Sequence, residues 1–177
     1  MRFAFLLFLL FSQTAMDINF GTESGGSDWR ATNDGVMGGR SEGRLSMREN
    51  SIFFEGYVSL ENNGGFASFN GPYQDMDLSA YQSVSIRYRS KGQAFSMALA
   101  KDRRWWIPNY KYKLKENTEG WEVATFQLMD FKEYYMGEPT GNAIQESLLE
   151  DIIRMGFIAY NKKAGAFEFE IDYIRFD

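Results

Sequence analysis

The sequence predicts an all-β sandwich or jelly roll. Strand-period alternation recurs along most of the chain, turn signals separate the alternating runs, and only one short stretch has helical spacing. In the run from 54 to 60, Phe54, Gly56, Val58 and Leu60 share one face while Glu55, Tyr57 and Ser59 share the other. Val84, Ile86 and Tyr88 alternate in the same way with Ser85, Arg87 and Arg89. Both runs read as half-buried antiparallel strands. Further strands are expected at 18–20, 45–47, 66–69, 94–100, 106–114, 121–128, 154–161 and 167–176, with turn signals at Asn63-Gly64, Lys91-Gly92 and Glu119-Gly120. In the last of these strands Phe167, Phe169 and Ile171 are in one phase and Ile174 and Phe176 in the other, which calls for a β-bulge near Asp172 or Tyr173. Ile144, Leu148 and Ile152 recur every fourth residue, predicting one short helix over 143–153, with Asn142 placed to cap it.

With 177 residues, 17% of them aromatic, the chain is sized for one domain with a full core. Behind Met1-Arg2 stands an uninterrupted apolar run from Phe3 to Phe11, followed by Ser12-Gln13-Thr14-Ala15. This is the outline of a secretory signal peptide over residues 1–16, leaving a single domain at 17–177. The run is far shorter than the roughly 20 residues of a spanning helix, so no integral membrane segment is expected in the mature chain. The expected location is periplasmic or extracellular if the leader is cleaved, and cytoplasmic otherwise. Nor is the leader of the mitochondrial kind, since it carries a single arginine.

Nineteen basic against 24 acidic residues give a net charge of -5, which argues against nucleic acid as a partner. The chain has no cysteine and no histidine. Disulfides, thiol nucleophiles, Ser-His-Asp catalysis and zinc sites of the Cys/His kind are therefore excluded. No cofactor is expected and no metal ligand is assigned; a structural calcium, which jelly rolls of this general kind often hold through carboxylates and loop carbonyls, stays an open alternative without assigned ligands, since the chain has no dense ligand run.

Two glycine-rich segments stand out. The first is Trp29-Arg30-Ala31-Thr32-Asn33-Asp34-Gly35-Val36-Met37-Gly38-Gly39-Arg40-Ser41, too polar for a core strand and rich in residues that tolerate a left-handed backbone. The second, Asn62-Asn63-Gly64-Gly65-Phe66-Ala67-Ser68-Phe69, follows the strand at 54–60. Together these motifs resemble the CIA30 family, the complex I intermediate-associated protein 30 domain, here as a stand-alone member of bacterial type. Asp77-Leu78-Ser79-Ala80-Tyr81, the arginine-bearing strand around Arg87 and Arg89, Ile153-Arg154-Met155-Gly156-Phe157 and the segment from Gly165 to Ile171 extend the resemblance from about Ile18 to Phe176. Met136-Gly137 departs from it, standing where the family leads one to expect an arginine-glycine pair.

The resemblance implies a galactose-binding-like jelly roll and a non-catalytic role, because the family's best-known members assist assembly of respiratory complex I. It also implies that the loop at Asn33 to Gly39 packs near Gly64-Gly65 and the Arg89 strand, so that Trp29, Asp34, Arg40 and Arg89 rim one surface. The candidate binding residues are Trp29, Asn33, Asp34, Met37, Arg40, Arg89 and Trp105. Asp34 has a second reading, as a cap for local amides.

Trp105 and Trp106 would point to opposite faces of a strand, leaving one indole outward beside Arg103 and Arg104 to stack on a sugar or grip a protein. From Tyr110 to Lys115, tyrosines and Leu114 alternate with Lys111, Lys113 and Lys115, read as a core face backed by a solvated one. Glu168, Glu170 and Asp172 share a face of the last strand, about 7 Å apart in sequence order, and are expected to be solvated. The leading functional reading is a protein-interaction or assembly module, the alternative a carbohydrate-binding module. An enzyme comes third, with paired carboxylates about 5 to 10 Å apart as its only route. The partner is thus a protein, such as an assembly intermediate of a membrane complex, or a glycan.

Overall fold

The computed structural model describes residues 15–23, 25–117 and 120–177; the leader expected at 1–16 falls, but for its last two residues, outside them, as does Glu119 of one expected turn. Among the described residues the strands are β1 (Met16–Asn19), β2 (Arg30–Asn33), β3 (Glu42–Arg48), β4 (Ser51–Val58), β5 (Ala67–Asn70), β6 (Ser83–Lys91), β7 (Ser96–Ala100), β8 (Asn109–Lys113), β9 (Glu122–Gln127), β10 (Lys132–Tyr135), β11 (Glu138–Ala143), β12 (Arg154–Ala159) and β13 (Gly165–Phe176). They form two sheets. A six-stranded sheet has the order β3-β4-β13-β6-β9 with β1 also on β13, and a seven-stranded sheet has the order β11-β10-β8-β7-β12-β5-β2.

Alternation decides which side chains fill the space between the sheets. Val84, Ile86 and Tyr88 of β6, Phe54 and Val58 of β4, and Met97 and Leu99 of β7 are all buried, in the phase their spacing predicts. Aromatic rings join the layers: Phe169 of β13 stacks on Phe95 at 4.2 Å and lies 5.4 Å from Phe157 of β12, and Tyr112 of β8 stacks on Phe126 of β9 at 3.7 Å. The register of β13 against β6 shifts between Ile171 and Tyr173, so Asp172 is the extra residue of the expected bulge. That one insertion lets Ile171 and Ile174, three apart, both reach the core.

The short helix differs from expectation. Residues up to Ala143 belong to β11, and Glu146–Asp151 form a 3-10 helix. Its N-cap is Gln145, not Asn142, whose amide bonds the Glu133 carboxylate instead. An α-helix over 143–153 is replaced because its carbonyls are wanted elsewhere: Leu149 O accepts the Leu78 N–H and Ile152 O the Met76 N–H, each at 2.9 Å. Leu149, out of the predicted spacing, is the residue buried alongside Ile144 and Ile152, while Leu148 is only partly buried.

The expected strand at 106–114 begins at Asn109. Trp105 and Trp106 sit in a turn closed by the Ile107 N–H on the Arg104 carbonyl, so neither is forced inward. The β10–β11 hairpin turns through Met136 and Gly137, with φ of 51° and 87°, between the paired Tyr135 and Glu138. Two successive positive φ values are what a two-residue hairpin loop of the mirror-image type requires. No helix among the described residues is long and apolar enough to cross a membrane.

Candidate functional site

Asp34 opens a 3-10 turn, Asp34–Met37, directly after β2, and its side chain is fully buried. Oδ1 accepts the Ser41 N–H at 2.8 Å, while Oδ2 accepts the Ser41 hydroxyl at 2.5 Å, the Gly65 N–H at 2.7 Å and the Phe66 N–H at 3.2 Å. The Ser41 hydroxyl in turn accepts the Ser59 N–H. Two glycines make room for this carboxylate. A Cβ at Gly39 would stand 2.4 Å from the Asp34 carboxyl carbon, and one at Gly64 would stand 2.7 Å from Oδ2. The two glycine-rich motifs are therefore halves of one clasp. Burial works to raise the Asp34 carboxyl, but the bonds from Ser41, Gly65 and Phe66 outweigh it and hold it below the usual carboxylate value.

The other candidates from the sequence do not share a surface with it. Trp29 lies in the core against Phe20, Phe69 and Phe157. Asn33 donates to the Gly43 carbonyl at 3.1 Å, inside the same loop. Arg40 forms an exposed ion pair with Glu61, spanning the two halves of the clasp from outside. The backbone of Met37 closes the 3-10 turn, and its side chain lies outside what the structure describes. Arg89 points from the outer face of the six-stranded sheet, where its Nε and Nη2 both donate to Glu170 Oε2. The shared rim of Trp29, Asp34, Arg40 and Arg89 is not formed, because Trp29 fills the core and Arg89 is engaged on the other side of β6 from the core.

Glu170 also departs from expectation. Only 3% exposed, it takes Arg48 at 2.7 Å and the Ser51 hydroxyl at 2.6 Å as well as Arg89. Burial pushes its carboxyl up, but Ser51, Arg89 and Arg48 together leave it below its ordinary value. Asp172 pairs with Arg87, and the Arg87 and Arg89 guanidiniums lie 4.6 and 4.9 Å from the Trp121 ring. This face is tied up internally.

The outward face of the seven-stranded sheet is different. Lys111, expected to be solvated, is 8% exposed; its ammonium lies 4.6 Å from the Tyr134 ring and 5.7 Å from the Tyr160 ring. It forms no salt bridge among the described residues, and burial pushes it down to about 8. The next residue outward along β8, Asn109, has a buried side-chain oxygen with no hydrogen-bond partner. Sequence reasoning missed this cluster because β10 was not foreseen. The signal was present in Lys132-Glu133-Tyr134-Tyr135, a polar–aromatic run ahead of a Met-Gly turn, and register sets Lys132 beside Lys111 and Tyr134 beside Asn109.

The turn between β7 and β8 carries the last feature. Trp105 and Trp106 are 61% and 48% exposed and meet edge to face at 5.9 Å. Asp102 braces the turn: it accepts the Arg104 N–H at 2.9 Å and Nη2 at 2.6 Å, and that guanidinium holds its carboxyl well below the usual range. Arg103 and Arg154 each lie over the Tyr73 ring, at 4.7 and 4.3 Å.

Two facing antiparallel sheets of this order place the protein in the class of galactose-binding-like jelly-roll domains. The chain belongs to the Complex I intermediate-associated protein 30 (CIA30) family, which it matches over residues 18–171. No curated protein sequence matches it. Among solved structures it is similar to the family 11 carbohydrate-binding module of the cellulosomal cellulase Lic26A-Cel5E of Clostridium thermocellum, with a TM-score of 0.66 and 14% identity over 92% of this chain and 95% of that one. A family 11 module from the same organism, in complex with a β-1,3-1,4-mixed-linked tetrasaccharide, gives 0.63 and 17% over 90% and 94%. An agarase, AgWH50C, gives 0.61 and 9% over 93% of this chain and 25% of the agarase. At these identities the likeness is one of fold alone.

Proposed function

We propose that the protein is a non-catalytic interaction module that holds a protein partner, as the assembly role of its family implies. The observation that carries this reading is the Trp105–Trp106 pair: two adjacent indoles, both exposed, on a turn braced by the Asp102–Arg104 bonds. Large aromatics held rigidly in the open are what anchors a protein interface, since they bury much area at little entropic cost. The test is covalent cross-linking in the native host followed by identification of the captured proteins, with wild type and a Trp105→Ala, Trp106→Ala double variant. A defined set of membrane-complex subunits captured by wild type and lost in the folded variant is the expected result. An unchanged set removes the turn from the interface.

A second reading is favoured by Lys111, Tyr134 and Tyr160. They form an aromatic and cationic cluster on the outward face of a sheet whose fold is shared with a module that holds a tetrasaccharide. On this reading the protein is a carbohydrate-binding module, and affinity gels with soluble glycans test it directly.

A further inference from the structure

We propose that the outward face of the seven-stranded sheet binds an acidic glycan, with Lys111 taking a carboxylate or sulfate group and Tyr134 and Tyr160 flanking it against the sugar rings. The inference rests on the carbohydrate-binding reading of that face and adds the charge of the ligand.

Charge on this face is one-sided. By register, Lys132, Lys111, Ala98, Gly156, Asn70 and Arg30 form one row across β10, β8, β7, β12, β5 and β2. The next row carries Lys113 beside Ser96 and Ile158, and Arg154 stands beside Ala100 toward the Trp105 turn. None of these outward strand positions is acidic, in a protein whose net charge is -5. The carboxylate at the hairpin end, Glu138, is already engaged by Lys162 at 2.9 Å. The six-stranded sheet behaves oppositely, with Arg44, Arg48, Arg87, Arg89 and Arg175 each paired to a carboxylate.

A lysine that is nine-tenths buried ordinarily has a carboxylate partner, because an unpaired charge taken out of water is costly. Lys111 has two tyrosine rings and no such partner among the described residues. In the middle of the row Ala98 is small, and beside it the Asn70 side chain lies over Gly156, where a Cβ would stand 2.2 Å from Asn70 Oδ1, so the row presents one methyl and one amide between its cationic ends. An anionic group placed on Lys111 supplies the missing counter-charge.

The experiment is isothermal titration of the full chain with polygalacturonate, dextran sulfate, mixed-linkage β-glucan and polyglutamate, using wild type, Lys111→Met, Lys132→Gln and Arg44→Gln, with thermal melts to establish folding. Expected is a preference for an acidic polysaccharide over the β-glucan, weakened about tenfold or more by Lys111→Met, severalfold by Lys132→Gln and not at all by Arg44→Gln. Polygalacturonate and dextran sulfate separate carboxylate from sulfate as the anion. Binding of β-glucan at least as tight as that of the acidic polymers overturns the inference while leaving the carbohydrate reading standing. Failure to bind any of the three polysaccharides overturns both. Polyglutamate bound as tightly as the acidic sugars also overturns the inference, since the face would then read charge alone. If Lys111→Met fails to fold, the Lys132→Gln and Arg44→Gln contrast decides.

Discussion

The Asp34 carboxylate accepts the backbone amide of Gly65 at 2.7 Å, across 31 positions of sequence. One buried side chain thereby fastens the end of β2 to the start of β5. Asp34→Ala strands the Ser41, Gly65 and Phe66 amides without acceptors, and the expected loss is about 3–5 kcal/mol of stability, read from urea denaturation. Asp34→Asn keeps part of the acceptor set and is expected to lose less. A destabilised Asp34→Ala protein that still captures its ligands makes the clasp structural; a loss of below about 0.5 kcal/mol would contradict the geometry.

Acid is expected to weaken the fold through Glu170. Its carboxyl is held below the unfolded value of 4.5, so the stabilisation it contributes is complete above that value and is lost as pH falls through the folded one. Urea midpoints measured between pH 7 and 3 should fall most steeply at the acid end. Glu170→Gln should be less stable at pH 7 and show a shallower decline.

Lys111 acts in the opposite direction. The unfolded chain keeps its proton up to about 10.5 and the folded protein only to about 8, so between those values the unfolded state binds more protons and stability rises with pH. Lys111→Met should be more stable than wild type at pH 7 by about 1–3 kcal/mol, after the lost ring contacts are allowed for, and should lack the alkaline rise. Denaturation of the two proteins at pH 7 and pH 10 checks both statements.

At the β10–β11 hairpin, Met136 holds a φ of 51°, which methionine tolerates less well than asparagine, whose short polar side chain can hydrogen-bond the local backbone. Met136→Asn is expected to raise stability by about 0.5–1 kcal/mol without touching the core, since Met136 is exposed. Thermal melts suffice to see it.

Export is the remaining expectation from the sequence, and we propose a mature chain beginning near Met16 or Asp17. Intact mass of the protein purified from its native host checks this; the full 177-residue chain in the cytosol would refute it. β1 starts at Met16, so cleavage after Ala15 would keep its whole ladder with β13 and cleavage after Met16 would remove the Met16–Phe176 pair.

The sandwich was legible because alternation is a local property: the core residues of β4, β6 and β13, and even the Asp172 bulge, follow from phase alone. β10 and β11 were missed since Pro139, Gly141 and Asn142 suppress strand signals on an edge hairpin. Lys111 and Glu170 show why the site was harder. Each reads as a solvated residue of an alternating strand, and each is buried by side chains from strands far away in sequence. Asp34 could be singled out by its glycines, yet whether it faces a ligand or the backbone depends on Gly39 and Gly64 closing over it, which only the fold decides.

The position of β13 governs how the six-stranded sheet can close. It lies in the middle of that sheet, between β4 and β6, with β1 docked on it through an Asp17–Arg175 ion pair that spans 158 positions. Without it, β4 and β6 have no strand to bridge them and β1 has nothing to zip onto. Closing that sheet therefore waits on pairings between residues far apart in sequence, which is the kind of contact that makes folding slow.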